Sequence, residues 1–209
     1  MKHSLLGAAS ALFLMTGGAF AAPADQPGHQ SLEPGTSSEA MSAVKDGTAG
    51  MVGEISAEMT RTTKGFVKAA TISDMYEVTA GKIAAQRAQS PEVKEFAEKM
   101  IKAHTLTTKK LKGIIADNNI NVTPPAHVDD RRQGMLDDLR GAKSQDFDHR
   151  YIVQQIAAHK EADILMRGYA KDGDNQAIRN FADTTDKTVR MHLDMAEKLD
   201  AGTKSASNQ

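Results

Sequence analysis

From Thr62 onward, apolar residues recur every three or four positions in four successive stretches, and this period constrains the fold more than any other feature of the chain. A 3.6-residue repeat lays one apolar stripe along one face of a helix. The first stripe, Phe66, Ala70, Ser73, Glu77, Ala80 and Ala84, predicts helix A over 63–88. Ser90-Pro91 then supplies an N-cap and a first-turn proline. Helix B is expected at 91–118, with Val93, Phe96, Met100, His104, Leu111 and Ile115 inward, stopped by Asn118-Asn119 and Pro124-Pro125. A connector follows, with a short helix expected from Asp129 to Arg140. Helix C, capped by Ser144, is expected at 145–171 with Phe147, Tyr151, Ile156, His159, Ala162, Met166 and Tyr169 inward. Gly173-Asp174 makes the turn and cap for helix D at 175–199, where Ile178, Phe181, Val189, His192, Met195 and Leu199 face the core. No period-two stretch competes.

Four amphipathic helices, each ~38 Å long at 1.5 Å per residue, define an all-α four-helix bundle. The A–B and C–D turns are short, so each pair forms an antiparallel hairpin. The long B–C connector can cross the bundle's length as in ferritin-like folds, although an up-down arrangement would also accept it.

The N-terminus carries an address. Lys2 and His3, an apolar run from Leu5 to Met15 and Ala19-Phe20-Ala21 read as a secretory signal peptide over 1–21, cut after Ala21. The run is shorter than the ~20 residues a spanning helix needs, and no later segment approaches that length. A periplasmic or secreted destination is therefore expected. Residues 22–61, with Pro23, Pro27, Pro34 and five glycines but no aromatic residue, read as a flexible leader, with at most a turn near Glu54–Met59. The bundle domain is expected over 62–200, followed by a disordered tail over 201–209.

Composition narrows the chemistry. The chain has no cysteine, which removes disulfides, thiolate nucleophiles, cysteine-ligated zinc and iron–sulfur clusters. Its 26 basic and 27 acidic residues give a net charge of −1, which argues against nucleic acid as a partner. No Gly-x-Ser-x-Gly and no His-Glu-x-x-His occurs, so no complete catalytic motif is present. The runs Lys109-Lys110 and Asp129–Arg132 read as solvated helix faces.

One ionisable residue interrupts each stripe: Glu77 on A, His104 on B, His159 on C and His192 on D. Counted from the A–B turn, Glu77 and His104 lie ~18 and ~21 Å deep; from the C–D turn, His159 and His192 lie ~21 and ~28 Å deep. All four fall near mid-bundle and can share a layer. Three imidazoles and a carboxylate suit one transition metal: zinc, iron, manganese, nickel or copper. Asp163, four residues after His159, is expected to be a ligand or to orient the ring from behind. Met100, Met191 and Met195 near the histidines admit a softer copper(I) site, but methionine at helical spacing also fills cores. The alternative is a structural or interaction protein of the cell envelope, in which a metal-free Glu/His layer only sets helix register and an outer face meets an envelope partner or a second copy.

The combination of Phe66 leading to Glu77, Met100 with His104, Phe147-Asp148 with Tyr151, and then His159 and His192 resembles the bacterial family called domain of unknown function 4142. The resemblance covers about 62–199 and implies an exported, ferritin-like bundle; it implies no established activity. The family commonly has Asp immediately before the helix-B histidine, where this chain has Ala103. Ferritin-like relatives with two irons use Glu-x-x-His pairs, and here Ile101 and Val189 stand three residues before His104 and His192. The carboxylates for a dinuclear centre are missing.

Overall fold

The structure, a computed structural model, describes residues 50–54, 56–57 and 60–207. The expected signal peptide and most of the leader lie outside the described residues. Five helices follow one another: α1 Thr63–Arg87, α2 Pro91–Asp117, α3 Asp130–Gly141, α4 Ser144–Asp172 and α5 Gln176–Ser207. No strand occurs among the described residues.

The helix starts follow from side chains that accept otherwise orphaned backbone N–H groups. Thr62 Oγ1 accepts from Gly65 N at 3.1 Å, Ser90 Oγ from Glu92 N at 3.1 Å, and Asp129 Oδ1 from Arg132 N at 2.8 Å. Two caps differ from expectation. Ser144 lies inside α4, whose N-cap is Lys143 without a side-chain bond. Asn175 caps α5 through Ile178 N at 3.1 Å, which leaves Asp174 to accept from Thr63 N at 2.7 Å. Helix α5 also runs beyond the expected boundary at 200, because no proline or capping turn stops it.

Two ties set the topology. The start of α1 meets the end of α4, where Thr63 Oγ1 and Tyr169 Oη lie 2.8 Å apart. The end of α1 meets the start of α4, where the Arg87 guanidinium stacks 4.6 Å over Phe147 and Asp148 accepts from Ser90 N at 2.7 Å. Helices α1 and α4 are thus antiparallel neighbours. Early α2 likewise meets late α5, with Lys99 Nζ 3.8 Å from Met195 Sδ. The order is up-down-down-up, and the connector bearing α3 crosses the bundle's length. An up-down-up-down order would instead make α2 and α4 antiparallel. The small residue Gly81 brings α1 close to α2: a Cβ there would lie 3.0 Å from the Ala97 carbonyl oxygen.

The core divides in two. One apolar cluster, at the end where α4 begins, includes Tyr76, Phe96, Met100, Leu139, Phe147 and Tyr151. The other includes Phe66, Leu111, Met166, Tyr169, Phe181 and Val189, with the Phe66 and Tyr169 rings 4.3 Å apart. Residues 50–54 and 56–57 are helical where a flexible leader was expected, and Ala57 is buried in this second cluster. Small residues permit that packing: a Cβ on Gly53 would fall 2.0 Å from Glu161 Oε2. Between the two clusters, at the middle of all four long helices, lies a polar layer. No helix among the described residues is long and apolar enough to cross a membrane.

Candidate functional site

Each long helix contributes to the polar layer from its buried face. His104 comes from α2, His159 from α4 and His192 from α5, and all three are buried. Their ring centroids form a near-equilateral triangle, 5.6 Å from His104 to His159, 5.8 Å from His104 to His192 and 5.5 Å from His159 to His192. One nitrogen of each ring lies within 4.8 Å of the other two. Around a tetrahedral ion with metal–nitrogen distances of ~2.0–2.1 Å, such nitrogens stand ~3.3 Å apart. The three rings fit a metal after a contraction of at most ~1.5 Å per pair, within reach of small side-chain rotations.

Hydrogen bonds aim two of the rings. Asp74 on α1 accepts from His104 Nδ1 at 2.8 Å, and its other oxygen accepts from Thr108 Oγ1 at 2.9 Å. The backbone carbonyl of Gln155 accepts from His159 Nδ1 at 2.9 Å. With Nδ1 so engaged, the lone pair sits on Nε2 of the neutral His159 ring, and on Nε2 of His104 once that ring gives up its second proton. These Nε2 atoms, together with His192 Nδ1, are buried and have no hydrogen-bond partner. A ligand histidine is typically held in this way, with its far nitrogen bound to a carboxylate or a backbone carbonyl.

The electrostatics split the three rings. Burial, with the charge of His104 nearby, lowers His159 to about 3. Burial, with His159 and His104 adding to it, also lowers His192 to about 3. Both rings are neutral over any physiological range. Burial pulls His104 down as well, but the hydrogen bond to Asp74 and the charges of Glu77 and Asp74 outweigh it and hold His104 above the ordinary imidazole value. Burial raises the Glu77 carboxyl against the pull of His104 and Arg132, and raises Asp74 against its bond to His104.

Three of the four residues expected in one ligand set come together, and Glu77 stands beside them. Its Oε1 lies 3.9 Å from His159 Nδ1, the nitrogen facing Gln155, and its carboxylate falls outside the set formed by the three imidazoles. The rise per residue gave its height correctly but not the direction of its side chain. Asp163 is a second correction. Instead of backing His159, it pairs with Arg167 at 2.6 Å and approaches Arg190 at 3.9 Å, because i,i+4 geometry also presents it to a cation on its own helix.

Sequence reasoning missed Asp74, which stands one place off the stripe but three residues before Glu77, a spacing that shares a helix face. The carboxylate on His104 thus comes across the helix pair from α1, while Ala103 occupies the neighbouring position on α2. Arg132 was also missed. Read as part of a solvated charge run, it is fully buried, 4.7 Å over the Tyr76 ring, and donates to Glu161 at 2.8 Å. Its charge pulls the Glu77 carboxyl down, against the larger upward effect of burial. The Tyr151 hydroxyl is buried without a partner, and burial beside Glu77 pushes it well above the ordinary phenol value.

Fold and site together define an all-α helical bundle whose crossover connector packs over a core divided by a histidine–carboxylate layer. The chain belongs to the family described as a domain of unknown function (DUF4142), whose sequence model matches residues 51–199. That span takes in all four residues of the expected site and all but the first of the helical residues described ahead of α1. No curated protein and no solved structure matches the chain.

Proposed function

We propose that this protein is exported to the cell envelope and binds one divalent transition metal through His104, His159 and His192. The observation that carries the reading is the convergence of three buried imidazoles, from three helices, each with one buried nitrogen that lacks a hydrogen-bond partner. A layer serving register alone would be expected to bond within itself, since each unsatisfied buried acceptor costs about 1–3 kcal/mol. Three neutral nitrogen donors leave a fourth position for water or a small ligand. Glu77, which burial raises and the charges of His104 and Arg132 pull back down, offsets the charge of the ion once it gives up its proton, and Asp74 orients His104. Zinc, iron, manganese, nickel and copper all accept this donor set, and the role is metal handling in the envelope rather than catalysis. The basic start, apolar run and Ala19-Phe20-Ala21 of the N-terminus support export.

Titration of the metal-free protein with Co²⁺ tests the reading. Visible d–d absorption saturating at one ion per chain is expected, lost in the double variant His104→Ala/His159→Ala and retained in His149→Ala, whose side chain is 60% exposed. No absorption with the unaltered protein, or equal loss in both variants, would refute it.

A further inference from the structure

A sealed centre needs a way in. The three histidines, Glu77 and Asp74 are all buried, so an ion reaches them only where the wall yields. A cleft of about 520 Å³ opens between α1, α2 and the connector, and Asp74 and Thr108 form part of its wall. Asp74 therefore belongs to both compartments: it lines the cleft, and it accepts the Nδ1 proton of His104. Three other cavities, beside Phe96 and Met195, beside Arg61 and Asp172, and beside Ser56 and Glu161, touch neither the histidines nor Asp74. From the cleft, Asp74 stands one hydrogen bond from the His104 ring.

The lining suits a hydrated cation. It offers the carboxylates of Asp74 and Asp130, the imidazole of His127 and the hydroxyls of Thr79, Thr105 and Thr108, with Arg140 its only lysine or arginine. Oxygen donors of this kind can replace the water shell of a divalent ion in steps. Carboxylates in a cleft also concentrate cations and raise their on-rate.

Resting on the metal reading above, we infer that this cleft is the loading route for a hydrated divalent cation, and that Asp74 is the residue which passes the ion to His104. Asp130 and His127 collect the ion at the mouth. Asp74 turns from Thr108 and His104 to meet it, and the His104 ring then takes it inward. The route governs rates in both directions and leaves the equilibrium alone, because the cleft is not part of the bound state.

The test uses the whole chain, expressed with its leader and purified free of metal. Co²⁺ uptake is followed by stopped-flow absorbance, and release by transfer to excess chelator. Two substitutions fill the cleft from different walls, Val78→Trp on α1 and Thr105→Trp on the exposed lip of α2, so that failure of one to fold leaves the other. Each is expected to slow uptake and release by the same factor, about tenfold or more, with one Co²⁺ still bound at unchanged affinity. Asp130→Asn is expected to slow uptake and release alike by about three- to tenfold at low salt, with affinity unchanged and the effect shrinking as salt rises. Unchanged rates in the folded cleft-filled variants would overturn the route while leaving the metal site standing. So would slowing confined to Met191→Trp, an exposed position on α5 beside His192. Failure of the unaltered protein to take up Co²⁺ would overturn the site and the route together.

Discussion

Asp74→Asn separates a residue that serves the metal from one that serves the fold. In the unaltered protein the carboxylate receives His104 Nδ1–H at 2.8 Å and the Thr108 hydroxyl at 2.9 Å. Asparagine keeps the shape: its carbonyl still accepts from His104, and its amide can donate to Thr108. What disappears is the negative charge that steadies the ring once a cation sits on its far side. Removing such a partner typically weakens metal binding 10–100-fold, or about 1.4–2.7 kcal/mol. Stability of the metal-free protein moves much less. A charged hydrogen bond worth about 1.5–3 kcal/mol is lost, but so is the burial cost that raises Asp74, and the net change is expected within about 1 kcal/mol. Zn²⁺ competition against a chromophoric chelator gives the first quantity, and urea unfolding of the metal-free protein gives the second. The reasoning fails if affinity stays within about twofold while stability falls by about 2 kcal/mol or more, the pattern of a purely structural partner.

Three further outcomes follow from the geometry. Affinity for Zn²⁺ rises with pH, but as one or two protons are released rather than three, because His159 and His192 are already neutral down to about 3 while His104 and Glu77 are raised; proton release measured in paired buffers checks this, and three protons per ion would contradict it. His159→Leu removes a ring whose folded value lies below its ordinary 6.5, so the stability that the neutral ring retains above 6.5 and loses as pH falls toward 3 is no longer at risk. Relative to the unaltered metal-free protein, the variant should gain up to about 1.4 kcal/mol for each pH unit across that window, and parallel urea curves with no relative gain would count against the burial argument. Arg87→Ala removes donors to the carbonyl oxygens of Leu139 at 3.0 Å and Ala142 at 2.6 Å, as well as the stack on Phe147, and should cost about 2–3 kcal/mol in urea without changing metal stoichiometry.

The helices were legible because their signals are local. Apolar spacing, Ser90-Pro91 and the short turns are read within a few residues, and the observed boundaries of α1 to α4 fall within a residue of those expected. The height of His104, His159 and His192 was legible for a related reason, since a fixed rise per residue turns sequence distance into depth. What the pattern lacks is azimuth and partner. Glu77 arrives at the right level but turns to the Gln155 side of His159. A stripe allows about three positions in seven inward, so Asp74 on the edge of the stripe was passed over although its three-residue spacing to Glu77 marked it. Arg132 illustrates the limit: a charged residue on a short helix looks solvated until tertiary packing places Tyr76 beneath it and Glu161 at its end. The crossing of the connector likewise depends on long-range ties, Thr63 with Asp174 and Phe147 with Arg87, that no local window contains.

The most direct measurement is elemental analysis of the protein expressed with its own leader and purified without chelator and without tag histidines, alongside His104→Ala/His159→Ala prepared identically. The expected result is about one transition metal per chain in the unaltered protein and essentially none in the folded double variant. A folded, metal-free protein that also stays metal-free after incubation with excess Zn²⁺ would contradict the three-histidine site.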